Sequence, residues 1–347
     1  MLKNLHISIA EKRPFVVYAK PNSNIVKGIF QKDDTLHYLD NYSQEGFALA
    51  PFDSSNKTVF IPLDQSKVFH QTWNYNTFSE DSILTTAYSN AEKNHFEKLV
   101  ENMISEIRKG AISKIVASRK ESYNPNKIET VPLFQKMFSK YPTAFRYLFY
   151  HPKIGTWLGA TPEKLLSLNN NLLQTMAYAG TQKFEGTTNV VWGEKEKQEQ
   201  QFVTDFIVEN LKPETSTIEL SKPFTSQAGT LLHIRTDITA QLKNDFSLDK
   251  IIEKLHPTPA VCGLPKDLSK EYILANEGYD RKFYSGFLGE LNVDENKTSE
   301  LYVNLRCMEI QDDTVNFYIG CGITKDSIPE KEFLETVNKA VTMKSLF

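Results

Sequence analysis

The most constraining stretch of the 347-residue sequence runs from about residue 89 to residue 118. Phe96, Leu99, Val100, Met103, Ile104 and Ile107 recur at helical spacing, which predicts a helix over about 89–109 with one apolar face, stopped by Gly110. Directly beyond the stop, Ser113-Lys-Ile-Val-Ala-Ser118 is a compact β-branched run and predicts a central strand. A helix with one apolar face needs a sheet to cover it. Lys114 lies inside that strand, where its stem can pack while the ammonium reaches water, or where removal from water can make it a usable base.

The rest of the chain supplies more of both element types. Residues 1–75 carry short apolar runs such as Phe15–Ala19 and Thr58–Pro62 between clusters of Pro, Asn, Gly and Asp, which reads as an irregular β-rich region. Leu165–Leu168 and Leu172–Ala179 predict a hairpin turned by asparagines and ended by Gly180-Thr181. Lys195–Leu211 predicts a charged helix that buries Phe202, Val203, Phe206 and Ile207. Shorter helices are expected at Ser247–Leu255 and Asp267–Gly278. A hairpin of Leu301–Met308 with Val315–Ile323 around Asp312-Asp313 follows, then a helix from Pro329. Strands and helices alternate without the βαβ rhythm of a parallel fold, so one large α+β unit is expected. Residues 1–90 would complete the sheet of a catalytic region spanning 91–347.

Composition removes several classes of function. A net charge of −3 with both signs interspersed gives no field for a polyanion, which argues against nucleic acid as a partner. No apolar run is long enough to span a bilayer, and the first ten residues are too polar for a signal peptide, so a cytoplasmic protein is expected. Cys262, Cys307 and Cys321 are odd in number and lack Cys-x-x-Cys spacing, so they read as small buried hydrophobes.

The chemistry-bearing candidates begin with two acidic helices. Glu196-x-x-Glu199 and Glu332-x-x-Glu335 each set two carboxylates on one helical face, and hard oxygen donors brought together suit magnesium. On spacing alone the favoured reading of both pairs is a solvated helix face, with Glu335 and Lys339 as an ordinary i,i+4 ion pair. Glu163, in Thr161-Pro-Glu163, is either a first-turn helix residue or, if buried, an acid held protonated. His256–Lys266 is dense in Pro and Gly and shapes a loop. Gly320-x-Gly322 in an apolar strand points to close approach of a ligand or to a bulge, and His233 reads locally as a packed core histidine.

Taken together these segments resemble the chorismate-utilising enzymes, and among them the isochorismate synthases. The resemblance rests on Lys114-Ile-Val-Ala-Ser-Arg119, Gly159–Leu166, Ala179-Gly-Thr181, Lys195-x-x-x-Glu199, His256–Lys266, Asp280-Arg-x-x-Tyr-x-Gly286, Leu305-Arg306, Gly320-x-Gly-Ile323 and Glu332-x-x-Glu-Thr-x-x-x-Lys339. It covers about residues 95–345 and implies two facing α/β layers, like those of anthranilate synthase component I, with the active site between them.

The resemblance also implies roles. Lys114 would be the general base and Glu163 the general acid. Glu199 and Glu335 would bind Mg2+, with Glu196 and Glu332 as outer partners. Gly180, Thr181, His233, Ala260, Tyr284, Arg306, Gly320, Gly322 and Lys339 would surround chorismate. Relatives that use ammonia typically carry glutamine where Lys114 stands, so lysine implies water as the nucleophile and no amidotransferase subunit. Relatives that eliminate pyruvate typically carry threonine at Ala260, so alanine implies a reaction that stops at isochorismate. Gln200 departs from the family, which often has histidine there. A monomer is expected, and menaquinone is the preferred route ahead of siderophore or salicylate synthesis. A salicylate synthase-type lyase and an inactive chorismate-binding protein are the competing readings.

Overall fold

The computed structural model describes residues 1–74, 88–229 and 231–347. Two large sheets dominate it. The first has nine strands in the order Gly263–Leu264, Lys114–Tyr123, Thr314–Ile323, Cys307–Gln311, Gly155–Thr161, Phe145–His151, Phe15–Ala19, Ile25–Gln31, Ser66–Thr72. The second follows Thr215–Leu220, Leu231–Leu242, Leu172–Lys183, Lys164–Asn169, Ser299–Val303, Phe287–Leu291, Gly46–Ala50, Val59–Pro62, His37–Tyr38, and Phe224–Ala228 also pairs with Leu231–Leu242. Neighbouring strands run antiparallel, as in Phe15–Ala19 against Phe145–His151 and Lys114–Tyr123 against Thr314–Ile323. The α+β expectation stands, and the N-terminal strands enter both sheets.

Helices cover the outer faces. They are α1 (Leu2–Ala10), α2 (Asn90–Arg108), α3 (Thr130–Lys140), α4 (Glu194–Leu211), α5 (Leu248–Leu255), α6 (Lys266–Asn276) and α7 (Pro329–Lys344). Ser89 starts α2 with a capping box, its hydroxyl accepting from the Glu92 amide while the Glu92 carboxylate accepts from the Ser89 amide. The apolar face read from the sequence, Phe96 to Ile107, packs with Ile115, Ala117, Cys321, Ile323 and Phe333 outside the first sheet. Between the sheets lies a separate core of Val16, Tyr18, Phe47, Leu49, Tyr147, Trp157, Leu288 and Tyr302. Strands buried on both faces, such as Phe15–Ala19, therefore lack polar alternation. No helix among the described residues is long and apolar enough to cross a membrane.

Several expectations are corrected. The β-rich start contains a helix, α1, whose Leu5 and partly buried Leu2 and Ile9 pack on the first sheet. The Lys114 strand is not central: only the two-residue strand Gly263–Leu264 lies beyond it. Gly180-Thr181 does not end its strand, which continues to Lys183 through an irregularity between Ala179 and Gln182. Leu301–Met308 is not one strand. It stops at Val303, turns at Asn304-Leu305-Arg306 with Arg306 at φ +47°, and resumes at Cys307 in the other sheet.

Candidate active site

The site is built on small residues. Ile115 and Ala117 point outward into the α2 core, so strand alternation turns Lys114, Val116 and Ser118 toward the space between the sheets. On the neighbouring strand Gly322 pairs with Val116 and Gly320 with Ser118. A Cβ on Gly320 would lie 2.8 Å from the Tyr284 hydroxyl, and one on Gly322 would lie 2.5 Å from Glu199 Oε1 and 3.0 Å from Lys114 Cε. Close approach of these side chains is what requires glycine here.

Two chain crossovers form one wall. After the strand Gly155–Thr161 the chain passes through Pro162-Glu163 to the second sheet. After Ser299–Val303 it returns through Asn304–Arg306 to the first. The crossovers run side by side: the Val303 amide donates to the Glu163 carbonyl at 3.0 Å, the Ala160 amide to the Arg306 carbonyl at 3.1 Å. Glu163 is buried, 4% exposed, and burial raises its pKa to about 8 although Lys114, Arg306 and Lys339 pull the other way. It is therefore a neutral acid at pH 7. Burial pulls Arg306 below its ordinary range, and among the described residues no carboxylate forms a salt bridge with it.

Lysines and glutamates from α4 and α7 meet opposite. Lys114 is fully buried with Nζ 2.8 Å from Glu199 Oε1, an ion contact whose angles do not make a good hydrogen bond. Burial would raise Glu199, but Lys114, then Lys339 and Lys195, outweigh it and hold the carboxylate below its ordinary range. Glu335 pairs with Lys339 at 2.6 Å, and Lys339 also donates to the Gly320 carbonyl at 3.1 Å, so most of its donors are engaged within the protein. Glu332 is buried against Lys195 at 3.1 Å. Glu196 lies against Gly180 and Gly193 and does not line the pocket. Lys195 feels Glu332, Glu199 and Glu335 together, so three carboxylates converge on one side.

That donor set fits magnesium, which takes one or two carboxylates and fills its other positions with water and substrate oxygens. Among the described residues no three acidic, His or Cys side chains are gathered into a ready cage. Glu199 and Glu335, the glutamates of α4 and α7 that line the pocket, are the residues able to hold the ion. Gln200, at the departure from the family pattern, is buried away from them and donates to Thr236 at 2.8 Å and Thr204 at 3.0 Å, which anchors α4 to the sheet.

Gly180, Thr181, His233, Ala260, Tyr284, Arg306, Gly320, Gly322 and Lys339 all line the same pocket. Lys114 lies beneath its surface, covered where Gly322 and Glu199 meet. Burial, with Arg306 and Lys339 beside it, holds His233 well below its ordinary range. The neutral ring donates from Nδ1 to the Gly180 carbonyl at 2.7 Å and leaves Nε2 as a buried acceptor without a partner. The reading of a packed core histidine therefore gives way to a pocket residue. Tyr178 also lines the pocket and was absent from the sequence candidates. The available signal was its inward register, since Ala177 and Ala179 pack outward.

Residues 53–347 match the model of a family described as chorismate binding enzyme. The chain belongs to the chorismate binding enzymes. It is 29% identical over 270 residues to isochorismate synthase DhbC of Bacillus subtilis, covering 73% of this chain and 67% of that one. It is 27% identical over 266 residues to isochorismate synthase MenF of Escherichia coli, covering 74% and 60%. The fold is that of the solved menaquinone-specific isochorismate synthase MenF of E. coli, with a TM-score of 0.80, 20% identity and coverage of 96% and 88%. The two-layered fold expected from the sequence is thus shown.

Proposed function

We propose that this enzyme is an isochorismate synthase that adds water at ring carbon 2 of chorismate and expels the carbon 4 hydroxyl. The observation that carries the reading is Glu163, a carboxyl whose pKa burial raises to about 8, in a pocket whose lining residue Glu199 contacts the buried Lys114. Hydroxide is a very poor leaving group, so a neutral carboxylic acid at the departing oxygen is the group the reaction needs. Lys114, once neutral, takes a proton from the attacking water. The O–C2 bond forms, the ring double bonds shift, and the C4–O bond breaks as Glu163 protonates the leaving oxygen. One water enters and one departs, so the product is an isomer.

Glu199 and Glu335 are proposed to hold magnesium, which when bound would neutralise the ring carboxylate of chorismate. Arg306, which forms no salt bridge among the described residues, meets the substrate's second carboxylate. Ala260 presents only a methyl group to the pocket, which supports a reaction that stops before pyruvate is lost. Menaquinone is the proposed route, supported by the likeness to MenF.

Purified protein with chorismate and magnesium is expected to yield isochorismate without pyruvate, read by chromatography and mass spectrometry. In water enriched in oxygen-18 the product should gain one heavy oxygen. Pyruvate release in step with chorismate loss would make the protein a lyase, an amino product with ammonium an aminating enzyme, and binding without turnover an inactive receptor. Lys114→Ala is expected to lower turnover by roughly 10²–10⁴-fold, and Glu335→Ala to raise the magnesium needed for half-maximal rate.

A further inference from the structure

Tyr178 takes no part in the acid, base or metal assignments, yet its ring stands between the pocket and a second cavity. With Pro162 and Arg306 it lines both. The ring is held against His233, centroids 4.7 Å apart, and the residue is 6% exposed. Among the described residues its hydroxyl, which is buried, has no hydrogen-bond partner. Ser226 comes near it, but no well-directed bond forms. A buried hydroxyl is costly to leave unpaired, so one that the fold does not satisfy is a candidate for a ligand to satisfy.

Of the groups near this hydroxyl, Glu163 lines the pocket, Ser226 and Arg235 line the second cavity and Arg306 lines both. Arg306, Glu163 and Arg235 are all close enough to act on it. Burial pushes the phenol up to about 12, so at neutral pH it is a donor. A neutral donor beside a guanidinium that lacks a carboxylate makes a carboxylate receptor. The ring carboxylate of the substrate belongs on the Glu199 and Glu335 side, which leaves the enolpyruvyl carboxylate for this wall.

We infer that the Tyr178 hydroxyl donates a hydrogen bond to the enolpyruvyl carboxylate of chorismate and shares it with Arg306, making Tyr178 a substrate-binding residue. This rests on the isochorismate synthase reading above.

Steady-state kinetics of Tyr178→Phe test it, because the variant keeps the ring against His233 and removes only the donor. The KM for chorismate is expected to rise about tenfold, the size of one hydrogen bond to a charged group, with kcat within about twofold. The wild type should prefer chorismate over its side-chain methyl ester, and that preference should shrink in Tyr178→Phe. Ser226→Ala, on the other side of the hydroxyl, is expected to keep the wild-type KM. A wild-type KM in Tyr178→Phe, an equal rise in Ser226→Ala, or an unchanged preference for the free acid would each overturn the inference. A wild type that does not turn over chorismate would strike the parent reading instead. Calorimetric binding of chorismate to wild type and Tyr178→Phe would then read the hydrogen bond, and equal affinities would overturn it.

Discussion

The Thr161 hydroxyl donates a 2.6 Å hydrogen bond to the backbone carbonyl of Val303, and both groups are buried. This bond joins the crossover that carries Glu163 to the one that carries Arg306. Two backbone bonds run beside it, and together they set the distance between the acid and the carboxylate-binding guanidinium. Thr161→Val keeps the shape and removes one of two donors to the Val303 carbonyl, which still accepts from the Leu305 amide at 2.9 Å, so the loss should be that of one hydrogen bond, about 0.5–1.5 kcal/mol. Urea unfolding checks that figure. Because Glu163 and Arg306 move together, kcat/KM is expected to fall roughly tenfold or more, beyond what a slightly less stable but correctly shaped site would lose.

Glu163 sets the pH dependence. Its neutral form is the working acid, so with ionisation at about 8 the rate should hold from pH 6 to 7 and fall as pH rises through about 8. The same shift acts on folding, since the folded pKa lies above the unfolded value of 4.5. The stabilising contribution is complete below 4.5 and is lost as pH climbs through about 8. Glu163→Gln cannot ionise, so its Tm relative to wild type should improve across that window, while kcat drops by roughly 10²–10⁴-fold. A parallel Tm profile in both proteins would remove Glu163 as the titrating group.

Gly322 admits a sharper test of the Lys114–Glu199 contact. Its backbone is not in the left-handed region, so alanine is conformationally allowed and only contact matters. The added methyl would meet Glu199 Oε1 at 2.5 Å and Lys114 Cε at 3.0 Å, and one of the two must move. Gly322→Ala should cost about 1–3 kcal/mol as overpacking and lower kcat at least tenfold, with circular dichroism unchanged. Wild-type kinetics would show that the contact is not needed for turnover.

Much of this was legible before the fold was known, for reasons that differ by element. The α2 stripe and α4 follow from a 3.6-residue period that burial on one face imposes, and α7 from the proline at its start. The assignment of strands to sheets did not follow, because Leu301, Val303, Leu305 and Cys307 alternate with Tyr302, Asn304 and Arg306 as they would in one continuous strand, which hides the turn between layers at Asn304–Arg306. Helix α1 was missed because a nine-residue helix is marginal alone and gains its stability from packing Leu5 on the sheet. Of the motif residues, Glu163, Glu199, Glu335, Arg306 and Lys339 line one pocket, whereas Glu196 does not. The Glu335–Lys339 pair was legible from its i,i+4 spacing, but the contact of Lys114 with Glu199 was not, because it is set by how α4 meets the first sheet.

Behind the pocket, Glu277 and Arg281 form a buried ion pair at 2.6 Å that touches no part of the substrate space. Glu277 Oε1 accepts from the Ser118 amide at 2.6 Å, while Arg281 donates to the carbonyls of Val116 at 2.8 Å and Val261 at 3.0 Å. The pair thus pins the Lys114 strand to the loop that carries Ala260, and the Arg281 guanidinium lies 4.5 Å from the centre of the Phe52 ring. Glu277→Gln keeps the size and leaves the arginine charge without its partner, for which the cost of a broken buried pair is about 3–5 kcal/mol. Chemical denaturation should show a loss of that order. Where the variant still folds, its magnesium titration should match wild type, because the carboxylates of α4 and α7 stand on other elements. A stability within 1 kcal/mol of wild type, roughly the worth of a surface pair, would mean that the backbone bonds alone hold the strand.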